Sequence, residues 1–236
     1  MAECKLCNET EESFVTDALT QAEQYLESVG LIDRPGAVFY STHETLKPGP
    51  VYLLGLNPGG TEGASLRDSI NASRRGNNAY LDEEWAPGGH VQPRGQSTLQ
   101  RRVQALCRAM GVETRSTPAS NLAFTRSTGL AAHPGYAGAV RLCAPVHRLF
   151  MDAVQPHFVM TFGSLDHFAS GVKILSVESR DARHGTWKAH RGKAVAFGHE
   201  VDFGNVPHMS LWASDSRVDV VKWAIEKLKT ASSATS

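Results

Sequence analysis

What the chain lacks narrows what it can be. No run of about 18 apolar residues occurs among its 236 residues, so no membrane-spanning helix is expected. Charge of either sign is not in excess: 24 Lys and Arg balance 24 Asp and Glu. That balance neither calls for nor excludes nucleic acid, because local patches rather than the total set phosphate binding. Cysteine is scarce, with Cys4, Cys7, Cys107 and Cys143 only. A CxxC in a large cytosolic domain points to metal or redox work before a structural disulfide. The opening MAECKLCNETEE is acidic and polar, without the basic start or apolar core of a secretion signal, so a cytoplasmic protein is expected.

What is present is enough apolar residue, 41%, to bury a substantial core. Residues 13–29 place Phe14, Ala18, Ala22, Leu26 and Val29 on one helical face, and Gly30 can end that helix. Residues 37–40 read as a short strand. VYLLGL (51–56) is a continuous apolar run of strand length that feeds Asn57-Pro58-Gly59-Gly60, the pattern of a buried parallel strand entering a loop. Residues 61–95 are polar and rich in Gly, Asn and Arg, which predicts a long active-site loop or insertion. Helices are predicted over 98–110, 137–154, 164–170 and 214–229. Strands are predicted over 120–124 and 158–162, with strand-like segments in 193–207. Strands alternating with helices predict an α/β layer sandwich with a mainly parallel sheet. The expected organisation is an N-terminal helical segment with the CxxC (1–36), one α/β domain (37–230) and a disordered tail (231–236).

In open α/β sheets, sites form where the strands' C-terminal ends open into loops. Three apolar segments here meet unusual polar residues: Gly55-Leu56-Asn57-Pro58-Gly59-Gly60, Asn121-Leu122-Ala123-Phe124-Thr125-Arg126 and Val206-Pro207-His208-Met209-Ser210-Leu211. Taken singly, each has a plain structural reading. Asn-Pro-Gly is turn chemistry, His208 can be a buried structural histidine, and Asn121 can be a cap. His133-Pro134-Gly135 is a second histidine motif of similar look.

In order and rough spacing over residues 50–230, these motifs resemble the uracil-DNA glycosylase superfamily. GLNPGG is similar to its first motif, NLAFTRS to the segment after its second core strand, FVMTFGS to the strand ending in Gly, and PHMSLW to its HPS motif. The resemblance implies a three-layer sandwich around a mainly parallel four-stranded sheet. It also implies a monofunctional DNA glycosylase that extrudes a pyrimidine into a pocket and leaves an abasic site. His208 is then the donor to the leaving base, and Asn57 holds the attacking water. Gly55, Leu56, Pro58, Gly59 and Asn121 line the base, with Tyr80 or Trp85 stacking on it and Phe124 as another possibility. An amide such as Asn121 carries both a donor and an acceptor, so it does not by itself choose between uracil and cytosine. Where the most selective uracil enzymes have Tyr two residues after the catalytic position, this chain has Gly59. The pocket is therefore expected to admit C5-modified pyrimidines, including hydroxymethylated or glucosylated cytosine, in base-excision repair or antiphage defence.

For DNA contact, the basic segment around Arg183, Lys188 and Arg191 and the residues Ser210 and Leu211 are the candidates; Leu211 and Trp212 either wedge into DNA or pack under the last helix. Cys4, Cys7 and Cys143 match iron–sulfur ligands of some members, but Thr125 stands where another ligand is needed, so no cluster and no metal is expected. Ten histidines raise a metal-dependent hydrolase, but no HExxH or similar spacing occurs. A monomer that binds DNA is expected. The rival class is a non-catalytic DNA-binding or interaction protein that keeps the fold, favoured by the missing Asp at position 57.

Overall fold

A computed structural model describes residues 18–228 apart from Thr61. The CxxC and the C-terminal tail lie outside the described residues. The architecture is α/β: one six-stranded mixed sheet with helices against both faces. Strands β1 (Val51–Gly55), β2 (Ala119–Asn121), β3 (Phe158–Phe162) and β6 (His199–Val206) run parallel. β4 (Val172–Asp181) and β5 (Lys188–Ala196) form an antiparallel hairpin beside β6. The order across the sheet is β2-β1-β3-β6-β5-β4.

Every residue of β1, β2 and β3 is buried, as expected of parallel strands covered on both sides. On one face, Leu53, Met160, Phe162 and Val206 pack against α3 (Thr98–Met110) and α6 (Val218–Ala224), with Trp212 filling the gap. On the other, Tyr52, Leu54, Val159 and Phe203 pack against the helix at 18–28 (α1), α2 (Leu66–Arg74) and α4 (Tyr136–Val154). α3 starts with a reciprocal cap between Ser97 and Gln100 and stops at Gly111, whose positive φ of 77° an L side chain rarely adopts.

The sheet has six strands rather than four. The two additional strands are the β4–β5 hairpin, which its polar, charged composition conceals. β4 is an edge strand exposed on both faces, so it carries no apolar alternation to read. Within 61–95, a capped helix, α2, replaces the predicted irregular loop; the Ser65–Asp68 capping box starts it. Residues 37–40 form no strand. They run beside β2 with two backbone bonds, Ala37 N–H to Phe124 O (3.0 Å) and Tyr40 N–H to Ala119 O (2.8 Å). β2 ends at Asn121, α5 (Leu165–Phe168) is a single turn, and α6 begins at Val218 after a short 3-10 turn.

Candidate active site at the carboxyl edge of the parallel strands

From β1 the chain crosses to β2 on one side and later returns to β3 on the other. The β1–β2 connection carries α2 and α3 on opposite faces, and the β2–β3 connection carries α4 on the face of α2. The crevice at such a reversal, outside the carboxyl ends of the strands, is where open α/β sheets take ligands. Strand register places Asn121 beside Gly55, and Phe162 beside Val206, at the carboxyl ends of the four parallel strands. Two residues beyond Gly55 is Asn57; two beyond Val206 is His208.

A Cβ added to Gly55 would sit 2.0 Å from Asn121 Oδ1 and 3.4 Å from the Phe162 ring, so glycine is what leaves room for the amide over β1. The Phe162 ring meets the His208 ring edge-on at 5.8 Å between centroids. Three strand spacings of about 4.8 Å separate β2 from β6, with Asn121 and His208 on the same carboxyl edge of the sheet.

Asn57 is half-buried and its amide is held in one orientation. Its Nδ2 donates to Pro58 O (2.8 Å) and to Ser127 Oγ (2.8 Å), and Ser127 Oγ donates onward to Gly129 O (2.9 Å). Both amide hydrogens are used, so the group Asn57 offers to a ligand is its Oδ1, an acceptor.

His208 is held in one tautomer. The Ser210 N–H donates to His208 Nδ1 (3.3 Å), and the Ser210 hydroxyl lies 2.7 Å from the same nitrogen. Nδ1 is therefore an acceptor, and in the neutral ring the proton sits on Nε2. Burial depresses the imidazole pKa, which keeps the ring neutral near pH 7. Ser210, a candidate DNA contact from the sequence, sets this tautomer.

Around Asn121 the structure adds a residue the sequence pattern gave no sign of. Burial pushes the Tyr40 hydroxyl up to about 12, against the opposing pull of the Arg126 guanidinium and of the Asn121 amide beside it. Tyr40 stacks on Tyr80 at 5.5 Å, and Trp85 closes edge-on over both rings. Tyr80 is thereby buried in the core against α3, not open to stack on a ligand. Phe124 is likewise buried, packed on His147 on the opposite face of the sheet. The Phe162 ring, edge-on to His208, is as deeply buried in the core against α3 as Tyr80.

Leu56 and Pro58 are buried and serve the backbone. Leu56 packs on Gly163 and its carbonyl accepts from Tyr136 Oη (3.2 Å), while Pro58 O accepts from the Ser127 N–H (3.2 Å). A Cβ on Gly59 would meet nothing within 4 Å, and its φ is not in the left-handed region. Neither the backbone nor a neighbour requires glycine there.

The basic segment lies in the hairpin. Arg191 is covered by α6: it pairs with Glu178 and Glu226 and lies over the Trp223 ring at 4.6 Å, with 15% of its side chain exposed. Arg183 pairs with Asp219 (2.8 Å), and Lys188 lies 3.9 Å from Asp181. The hairpin tip is joined to the 208–217 loop by Trp212 Nε1 to Ala182 O (2.9 Å) and Arg217 Nε to Arg183 O (3.1 Å). Trp212 is buried, whereas Leu211 is 69% exposed, so the two residues divide the readings open in the sequence.

Cys107 and Cys143 are buried in the cores on opposite faces of the sheet, their thiols pushed up to about 11 and about 12 by burial. They share no site. Thr125 Oγ1 bonds His133 Nε2 (2.9 Å). No cluster of three or more metal-ligating side chains occurs among the described residues. A surface hollow of about 480 Å³ lined by Ala72, Arg75, Gly76, Asn77 and Asp82 lies after α2 and contains none of Asn57, Asn121 and His208.

No family model matches the chain. A search of curated proteins gives no match either.

Proposed function

We propose that the protein is a monofunctional DNA glycosylase of the uracil-DNA glycosylase type, its sheet and helices forming that superfamily's three-layer sandwich with an added hairpin. The observation that supports this reading is that two groups just beyond the carboxyl ends of β1 and β6 are each fixed by their own hydrogen bonds. Asn57 presents an acceptor, and His208 presents a neutral N–H donor whose tautomer Ser210 sets.

Cleaving a base from its sugar leaves positive charge on the sugar and negative charge on the base. Stabilising the departing anion calls for a donor fixed in advance, and the Nε2–H of His208 supplies one. The Asn57 Oδ1 accepts a hydrogen from water and orients it toward the sugar. An amide is too weak a base to deprotonate that water, so the chemistry leans on the leaving group. Asn121 reads the edge of the flipped base. No metal is assigned to the chemistry, and the working state is a monomer on DNA in the cytoplasm.

The open space at Gly59 favours a C5-substituted pyrimidine as substrate, uracil being the smaller alternative. The test is a panel of oligonucleotides, each carrying one pyrimidine: uracil, hydroxymethyluracil, hydroxymethylcytosine or glucosylated cytosine. Alkali then cleaves at any abasic site. Strand scission that depends on both Asn57 and His208 supports the reading. Exclusive release of uracil removes the C5 assignment. DNA binding without any base release replaces the enzyme with a DNA-binding module.

A further inference from the structure

Arg126 differs from the ion-paired arginines of α3 and the β4–β5 hairpin. Arg102 lies 3.7 Å from Asp215, Arg180 and Arg183 share Asp219, and Arg191 holds Glu178 and Glu226. Arg126 is half-buried and forms no ion pair among the described residues. Its one side-chain hydrogen bond there runs from Nη1 to the Gly59 carbonyl (2.6 Å), and its Nε is fully buried without an acceptor. The backbone of Gly63 lies against the guanidinium; a Cβ there would stand 3.2 Å from Nε and 3.3 Å from Nη2. Burying the Nε of a guanidinium without an acceptor is unfavourable. A carboxylate is what Arg102, Arg180, Arg183 and Arg191 have; none pairs with Arg126 among the described residues.

The location says which anion fits. Arg126 precedes Ser127, which holds the Asn57 amide, and it bonds the carbonyl two residues after Asn57. Its charge is felt at Tyr40, beside Asn121. It therefore lies beside the Asn57 loop, on the β1–β2 side of the sheet. We propose that Arg126 binds a DNA backbone phosphate next to the extruded nucleotide, through the guanidinium hydrogens that the Gly59 carbonyl leaves free. This rests on the glycosylase reading and adds a phosphodiester subsite to it. Phosphate contacts fix the register of a protein on DNA, and here the contact would fix it from the loop that carries Asn57.

The test is anisotropy of a labelled duplex holding a stable abasic-site analogue, titrated at several salt concentrations with the parent, Arg126→Lys, Arg126→Gln and Arg183→Gln. Loss of one phosphate contact lowers the slope of log K against log salt by about 0.9. Arg126→Gln is expected to show that drop with roughly tenfold weaker binding. Arg126→Lys, which keeps the charge, is expected to retain the slope, as is Arg183→Gln, whose charge Asp219 already answers. An unchanged slope in Arg126→Gln overturns the phosphate subsite and leaves the glycosylase reading standing, even if the variant is less stable through its lost bond to Gly59. Failure of the parent to bind DNA at all overturns both.

Discussion

The parallel half of the sheet and its antiparallel extension treat polar residues in opposite ways. In β1, β2 and β3 every residue is buried, and Asn121, Asn57 and His208 lie at or just beyond the carboxyl ends of the parallel strands. In the β4–β5 hairpin, charge is spread along the strands and cations sit beside acids: Lys188 with Asp181, Arg191 with Glu178, Lys193 with Asp202. A count of basic residues points to the hairpin as the place that meets an anion; the proposed phosphate contact at Arg126 lies beside the parallel half, where no carboxylate pairs with the guanidinium among the described residues.

The largest expected difference is in catalysis. Asn57→Ala and His208→Ala should each lower base release by about 10²–10³-fold, the usual cost of one preorganised group, while leaving the melting temperature nearly unchanged. The alkali-cleavage assay with a thermal melt checks both. If loss of activity tracks loss of folding, the two residues are structural and the distinction between the halves falls.

A matched pair of glycine variants sharpens it. In Gly55→Ala the new methyl meets the movable end of Asn121 at 2.0 Å; in Gly192→Ala it meets the Ser176 carbonyl of the backbone at 2.0 Å. Gly192→Ala should cost about 1–3 kcal/mol in urea unfolding, as overpacking does, because strand β4 must shift. Gly55→Ala should cost less stability and more activity, because it displaces the reading amide.

One pH dependence of stability is expected from beneath the parallel half. His147 is fully buried, and burial lowers its pKa to about 4. Its folded value lies below the unfolded 6.5, so no penalty applies at neutral pH. As pH falls from about 6.5 to about 4 the unfolded chain gains a proton the folded one refuses, and about 3 kcal/mol of stability is lost. His147→Gln should flatten urea-melt stability over that window; an unchanged pH profile refutes the assignment.

A smaller effect is expected at Ser127. Ser127→Ala frees one amide hydrogen of Asn57 and should lower kcat by about tenfold, in line with one hydrogen bond to an oriented group, with little change in KM. Ser127→Thr, which keeps the hydroxyl, should restore it. Smallest of all, Arg183→Gln breaks an exposed pair and should shift stability by about 0.5 kcal/mol or less.

The parallel strands were legible because burial on both faces writes itself as VYLLG and FVMTF. The three leading candidate residues stood out because polar groups follow those runs. Less could be seen of what sits beneath or beside them. β4 has no periodicity to detect, being exposed on both faces. Helix α2 hides among Gly, Asn and Arg, though its Ser65-to-Asp68 spacing is a readable start signal. Tyr40 reaches Asn121 only through the fold. Ser127 and Arg126 sit within NLAFTRS, but their roles depend on which carbonyls and amides lie near, and spacing does not carry that. Tyr80 had the right chemistry for stacking, yet the same ring chemistry let Tyr40 and Trp85 enclose it.

The most direct measurement is a crystal structure with DNA carrying a 2′-fluorinated pyrimidine nucleotide that resists cleavage. The expected result is that nucleotide turned out of the duplex, its base edge on the Asn121 amide, its O2 on His208 Nε2, and a water on Asn57 Oδ1 facing the sugar. A base still stacked in the duplex, or one bound away from the carboxyl edge of β1 and β3, would contradict the account.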